Sequence, residues 1–243
     1  MKNKYVLITG ASNGIGFELS HFFLEHENHV VFAFARNAGK LEELRKNITV
    51  GNSKNLILVP GDITNENDVG RLFTVIKNET SRLDIIVNNA GTLINRNFLS
   101  LSSADWQSIY LTNVFSIAGL IRVLYPLLER NNFSESERSH ILNIASMGGF
   151  QGSQKFPGLS AYSSSKAALV CLSECLAEEF RSTGISVNCL ALGSVQTPMF
   201  EKAFPGLKAA TSPAEMARFI GEFAINGHHH FNGKVLPVSV STP

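Results

Sequence analysis

The chain has 243 residues, 44% hydrophobic and 17% charged, with a formal net charge of +1. That balance excludes a disordered chain and argues against a nucleic-acid binder held by bulk positive charge. Cys171, Cys175 and Cys189 form no disulfide framework and show no zinc spacing, so they read as reduced thiols of a cytoplasmic protein. No stretch approaches the ~18 apolar residues of a membrane span, and the apolar run near Met1 is shorter than a signal-peptide core. His228-His229-His230 reads as a native exposed turn, not a tag or a metal site.

Residues 4–9 (KYVLIT) form a continuous apolar run and read as a buried strand. Residues 14–27 follow as a helix, with Ile15, Leu19, Phe22 and Phe23 on one face. A strand at 30–35 precedes a helix at 39–46, and a strand at 55–60 precedes a helix at 66–79. A fourth strand at 83–88 leads to a long helix at 104–130, and a fifth at 140–145 to a helix at 163–182. The sixth strand is 185–190, the next helix 213–225, opened by Ser212, and the seventh strand 234–238. The strands lack polar alternation, as expected when helices cover both faces. Strict βα alternation predicts a single α/β domain over 1–243: a Rossmann-like, doubly wound, seven-stranded parallel sheet with helices on both faces. The longest irregular stretches, 147–160 and 193–211, follow strand C-termini, where such sheets bind ligands.

Between the first strand and helix lies Thr9-Gly10-Ala11-Ser12-Asn13-Gly14-Ile15-Gly16. Glycines there let the backbone approach a pyrophosphate, and the helix N-terminus offers free N–H groups. The spacing is G-x-x-x-G-x-G and not G-x-G-x-x-G, so on its own it also reads as an ordinary βα turn. Twenty residues beyond Gly16, an NAD site carries an acid and an NADP site an arginine. Here the strand ends Phe34-Ala35-Arg36-Asn37, with no carboxylate. Arg36 offers a planar fork that matches a 2′-phosphate; the alternative is a solvated arginine at a strand end. Tyr162 and Lys166, four apart, share one helix face. An ammonium ~5 Å from a phenol favours phenolate by ~3 kcal/mol, or about two pKa units. By itself that spacing is equally a surface pair.

Further motifs give the pair a context. Gly61-Asp62-Ile63-Thr64 follows the third strand, and Asn88-Asn89-Ala90-Gly91 closes the fourth. Asn113 falls in the long helix, and Ser146 ends NIAS at 143–146. YSSSK stands at 162–166, and Gly193-Ser194-Val195-Gln196-Thr197 follows the sixth strand. With TGASNGIG at 9–16, the motifs come in order, and the chain resembles a short-chain dehydrogenase/reductase of NADP-preferring type over essentially its whole length.

The resemblance implies a set of roles. Tyr162 is the general acid in reduction and the base in oxidation. Lys166 lowers its pKa and holds the nicotinamide ribose. Ser146 hydrogen-bonds the reacting carbonyl oxygen, and Asn113 supports a water relay to Lys166. Gly10, Ser12, Asn13, Gly14, Ile15 and Gly16 cradle the cofactor, with Asp62 near the adenine and Asn89 and Gly91 near its ribose. Val195 and Thr197 stand near the carboxamide, and Ile63, Ala90 and Gly193 join the cofactor site. No metal is implied, because the hydroxyls stabilise the developing alkoxide. Arg36 prefers NADP(H) over NAD(H); Asn13 stands where some members add a second basic residue, leaving Arg36 as the one cation expected there.

Three departures from the family pattern stand out. Leu192-Gly193 replaces Pro-Gly, the Ser146-to-Tyr162 spacing is about three residues longer than usual, and the tail LPVSVSTP lacks Asp-Gly-Gly. The implied pocket lies between 147–160 and 198–211, with Met147, Phe150, Phe156, Met199, Phe200, Phe204 and Leu207 either meeting substrate or packing as a lid. Arg96 and Lys155 beside its mouth could meet an anionic substrate, but read first as solvated surface charges. The expected activity is NADPH-dependent interconversion of a partly apolar carbonyl compound and its alcohol. Its specific form could be a 3-oxoacyl thioester reductase, and the rival class is a non-catalytic cofactor sensor on the same fold. The expected partners are a small-molecule substrate and copies of the chain, as a homodimer or homotetramer paired through 104–130 and 163–182. Neither nucleic acid nor membrane is expected.

Overall fold

Seven short apolar runs line up as one parallel sheet in the order β3-β2-β1-β4-β5-β6-β7. The computed structural model describes residues 3–26, 28–48, 52–131, 133–134 and 137–240. In chain order the elements are β1 (Lys4–Thr9), α1 (Gly14–Glu25), β2 (His29–Ala35), α2 (Ala38–Lys46), β3 (Leu56–Pro60), α3 (Glu66–Glu79), β4 (Ile85–Asn88) and α4 (Ser103–Tyr110). Then come α5 (Ser116–Leu128), β5 (Ser139–Ser146), α6 (Ser160–Glu179), β6 (Ile185–Leu192), α7 (Pro198–Ala203), α8 (Pro213–Asn226) and β7 (Val235–Val238). Glu27, expected in the first helix, and the last three residues of the tail lie outside the described residues.

Strand alternation sends Val6 and Ile8 to one face, with Leu19, Phe23 and Ile220 of α1 and α8. It sends Leu7 and Ile86 to the other, with Leu72, Leu120 and Leu169 of α3, α5 and α6. Each such fully buried side chain contributes roughly 1.5–3 kcal/mol. Side-chain caps start the helices where the sequence signals them: Asn65 opens α3, and the Ser102–Asp105 and Ser212–Glu215 capping boxes open α4 and α8. From β1 the sheet grows one way through β2 and β3, then reverses through β4 to β7. The crevice outside the C-terminal ends of β1 and β4 is therefore the topological switch point where such sheets bind ligands. Pro237 is tolerated in β7 because that strand is the sheet's edge.

Several expectations need correction. The long helix expected over 104–130 is α4 and α5 joined by a wide π turn, Leu111–Phe115. It stops at Leu128 because the Arg130 guanidinium folds back to donate to the carbonyls of Leu127 and Leu128, each at 3.0 Å. That run, Ser103–Leu128, has mean hydropathy 1.6 and is long and apolar enough to cross a membrane, which the sequence reading did not anticipate. Ile109, Ile117, Leu120 and Leu124 on it are fully buried, as in the core helix of a folded domain. α7 lies within a stretch expected to be irregular. His228 is buried and packs on His140, ring centroids 5.4 Å apart, while His229 and His230 are exposed. Leu192, in place of the family's usual proline, simply prolongs β6, in register with Val238.

Candidate active site

A cleft of about 1440 Å³ opens along the C-terminal ends of the strands, from Arg36 and Asp62 to Tyr162 and Lys166. Sixteen of the seventeen residues expected at the cofactor line it: Gly10, Ser12, Asn13, Gly14, Ile15, Arg36, Asp62, Ile63, Asn89, Ala90, Gly91, Tyr162, Lys166, Gly193, Val195 and Thr197 are on its wall, and only Gly16 stands behind it.

 A Cβ on Gly16 would meet the Gly10 carbonyl oxygen at 2.3 Å, so glycine is what lets the turn close onto α1. Asn89 fastens this turn to the end of β4. Its Nδ2 donates to the Thr9 carbonyl at 3.0 Å, and Thr9 Oγ1 accepts from the N–H groups of Asn89 and Ala90 at 3.1 and 3.0 Å. The backbone-lined turn at the start of α1 fits a pyrophosphate, and the long cleft fits an extended dinucleotide.

At the other end, β5 delivers Ser146 and the first turns of α6 deliver Tyr162 and Lys166. Gly149 makes this possible: a Cβ there would sit 2.6 Å from the α6 backbone at Lys166 and Ala167. Lys166 is buried, and its Nζ donates to the Ile144 carbonyl at 2.8 Å. Burial pulls its pKa down to about 8. Nζ stands 5.9 Å from the Tyr162 ring centroid. The expected lowering of the phenol by Lys166 is not what the structure gives. Burial pushes Tyr162 up, offset in part by a hydrogen bond with Ser146. Ser146 Oγ also accepts from the Gly148 N–H at 3.2 Å.

Asn113 is fully buried behind the cleft wall, carried by the π turn. Its Oδ1 accepts from the Thr92 N–H at 2.8 Å, and its Nδ2 donates to the Thr92 carbonyl and to Ser165 Oγ, each at 3.0 Å. A Cβ on Gly91 would lie 3.4 Å from Asn113 Oδ1 and 3.5 Å from Lys166 Nζ, so the two side chains flank one point of the wall.

The short chain dehydrogenase family model matches residues 4–208 of this arrangement. The chain belongs to the short-chain dehydrogenase/reductase family. It is 29% identical over 248 residues to the 3-oxoacyl-(acyl-carrier-protein) reductase FabG of Chlamydia muridarum (strain MoPn / Nigg), covering 97% of this chain and 96% of that protein. It is 32% identical over 219 residues to dehydrogenase/reductase SDR family member 11 of Mus musculus, covering 86% and 81%. The Pseudomonas aeruginosa RhlG/NADP active-site complex superposes with a TM-score of 0.86 at 28% identity, covering 98% of this chain and 96% of that one. This family member is a nicotinamide-dependent oxidoreductase of the alcohol/carbonyl couple.

The remaining lining of this dehydrogenase/reductase was less legible. Lys40, in the first turn of α2, lines the same end of the cleft as Arg36 and adds a second cation there. Arg36 itself is exposed and stands 3.9 Å from Asp62, an ion pair of small worth. Thr92 and Ser165, which hold Asn113, were also missed. The signal for Gly149 was the Gly-Gly pair after Met147; a lone lysine in the first turn of a helix carries none. Of the expected apolar residues, Met147, Phe156, Met199, Phe200 and Phe204 line the cleft, and Phe150 and Leu207 do not. Arg96 is paired with Asp105 at 2.5 Å, and Lys155 Nζ donates to the Phe150 carbonyl and to Ser153 Oγ at 2.6 and 2.7 Å. Both are exposed, as expected, and each also has a partner within the chain. Among the described residues, no three His, Cys, Asp or Glu side chains gather as a metal site.

Proposed function

We propose that this protein is an NADPH-dependent reductase of partly apolar carbonyl compounds, acting through Ser146, Tyr162, Lys166 and Asn113. The observation that carries the reading is the convergence of Ser146, Tyr162 and Lys166 at one end of a cleft whose other end holds Arg36 and Lys40. The turn at Gly10–Gly16 would hold the pyrophosphate, and Arg36 with Lys40 a 2′-phosphate. When bound, the cofactor supplies the hydride that reaches the carbonyl carbon.

The chain's own residues do the rest. Ser146 Oγ donates to the carbonyl oxygen and fixes it beside the phenol. Tyr162 gives that oxygen its proton as negative charge develops, leaving a phenolate that regains a proton from water. A phenol held above its ordinary pKa is protonated at neutral pH, which suits an acid in the direction of reduction. The Lys166 ammonium steadies the transient phenolate, and Asn113 holds the wall beside it through Thr92 and Ser165. Met147, Phe156, Met199, Phe200 and Phe204 favour an apolar substrate body. With Arg96 and Lys155 each tied to a partner within the chain, the mouth favours an uncharged one.

A 3-oxoacyl thioester reductase is the second reading, favoured by the 29% identity to FabG. A cofactor-only sensor would not need all four polar residues, and all four are present. The free thiols fit a reducing cytoplasm. The deciding experiment is NADPH oxidation by purified protein against a panel of neutral ketones, 3-oxoacids and 3-oxoacyl thioesters. Turnover confined to neutral ketones supports the leading reading, turnover confined to the thioesters supports the second, and binding of NADPH with no turnover supports the sensor.

A further inference from the structure

One side chain at the mouth of the cleft, used by neither the mechanism nor the family motifs, ties three segments together. Asn95 stands in the loop between β4 and α4. Its Nδ2 donates to the carbonyl of Ala203, 108 residues further on, at 2.8 Å. Ala203 is the last residue of α7, and terminal helix carbonyls have no partner within their own helix. On the other side, Asn95 Oδ1 is packed so closely on Gly158 that a Cβ there would come within 2.1 Å of it. Arg96, the next residue, donates its backbone N–H to the Gly158 carbonyl at 3.0 Å. Gly158 has φ +84°, so both its backbone conformation and this approach call for glycine.

α7 has six residues, too few to hold a helix in place by its own hydrogen bonds. Its position is therefore set at its ends. At the N-terminal end, Thr197 Oγ1 accepts from the Phe200 N–H at 3.2 Å. At the C-terminal end stands Asn95. Met199 and Phe200 between them, and Phe204 just past Ala203, line the cleft, with the two phenyl rings 5.2 Å apart.

We propose that Asn95 is a positioning and specificity residue. By holding the C-terminal end of α7, it sets how far the Met199–Phe200–Phe204 wall stands from Ser146 and Tyr162, and so limits the bulk of the carbonyl compound admitted. The specificity role rests on the reductase reading given above; the latch itself does not. An amide is required, because a carboxylate of the same shape has no N–H to offer the Ala203 carbonyl.

The test compares the full-length parent with N95D and N95A. Asn95 is exposed on the rim, so neither change disturbs the core, and circular dichroism checks the fold. Hydrogen exchange followed by mass spectrometry should show residues 200–205 exchanging about threefold faster in both variants, the scale of one partly exposed hydrogen bond. With NADPH and a homologous series of neutral ketones, both should admit bulkier members. The ratio of kcat/KM for a branched to a small ketone should rise about threefold, carried by KM and not kcat. NADPH affinity, measured by fluorescence, should stay within twofold. Exchange unchanged in N95D overturns the latch. Faster exchange with an unchanged size ratio overturns the specificity role. If the parent reduces no carbonyl compound, the reductase reading and the specificity role fall together, and the exchange measurement alone decides the latch.

Discussion

Tyr162 carries the proton in the proposed chemistry, and its surroundings act on it in opposite senses: burial raises its pKa and Ser146 lowers it. Tyr162→Phe should keep cofactor affinity and lower turnover by ~10²–10⁴, the usual worth of a positioned acid. Steady-state rates within twofold of the parent would refute the role. Lys166, pulled down to about 8, is cationic below that pH and neutral above it. The rate of carbonyl reduction should therefore be level near neutrality and decline above pH about 8, and a profile level to pH 9.5 would remove the ammonium from the mechanism. At the far end of the cleft, Arg36→Ala should cut NADPH preference roughly ten- to 150-fold, the worth of one charged hydrogen bond. Lys40 lines the same end, so parity with NADH is expected only in the Arg36→Ala, Lys40→Ala double variant. Equal use of NADH by the parent would overturn the assignment. Tyr162, Lys166 and Ser146 were legible because their spacings coincide with a helix turn and a strand end. Lys40 was not, because nothing in a chain tells a solvated lysine from one facing a cleft.

At the scale of elements, the π turn at 111–115 places Asn113 beside Lys166, where a regular helix would present a different register. α7 had its own signal, Thr197 as N-cap and Pro198 at the first helical position, but six residues are too short for apolar periodicity to show. The turn after α8 buries a pair of neutral imidazoles. His140 Nδ1 meets the Ala224 carbonyl at 2.9 Å and its Nε2 meets Asn188 Nδ2 at 3.0 Å, with the His228 ring packed alongside. Burial holds His140 at about 4 and His228 at about 3. Each is below the unfolded value of 6.5, so the unfolded chain binds more protons between about 4 and 6.5. Stability should therefore be full above pH 6.5 and fall as pH drops toward 4, by roughly 2–3 kcal/mol for His140 alone. Urea midpoints at pH 7 and 4.5 check this; His140→Gln should flatten the slope, and an unchanged parent midpoint would refute it.

At the scale of the molecule, the outer face of α5 and α6 carries an apolar hollow of about 310 Å³ lined by Ile121, Tyr125, Leu176 and Phe180 among others. Phe115 and Leu111 stand exposed nearby along the chain, 59% and 44% accessible, an unusual cost for large apolar side chains left in water. The expected pairing through these helices would cover them. Light scattering at micromolar concentration should give a dimer or tetramer, and a particle of ~27 kDa would refute the oligomer. Phe115→Glu should shift that assembly toward monomer.

Alternation of apolar strands with amphipathic helices was enough to specify a parallel doubly wound sheet, because both faces of each strand are buried and each helix must bury one stripe. The glycine turn, NNAG, Ser146 and the Tyr162–Lys166 pair were readable for the same reason: each is a local pattern at the end of an element. What the chain could not express was anything that depends on distant segments meeting. The Asn95–Ala203 bond joins residues 108 apart. The raised pKa of Tyr162 and the lowered one of Lys166 come from burial, which no spacing encodes. The burial of His228 required α8 and β5 to be brought together. Local patterns fix which residues form an element; desolvation and long-range hydrogen bonds exist only once the elements have packed.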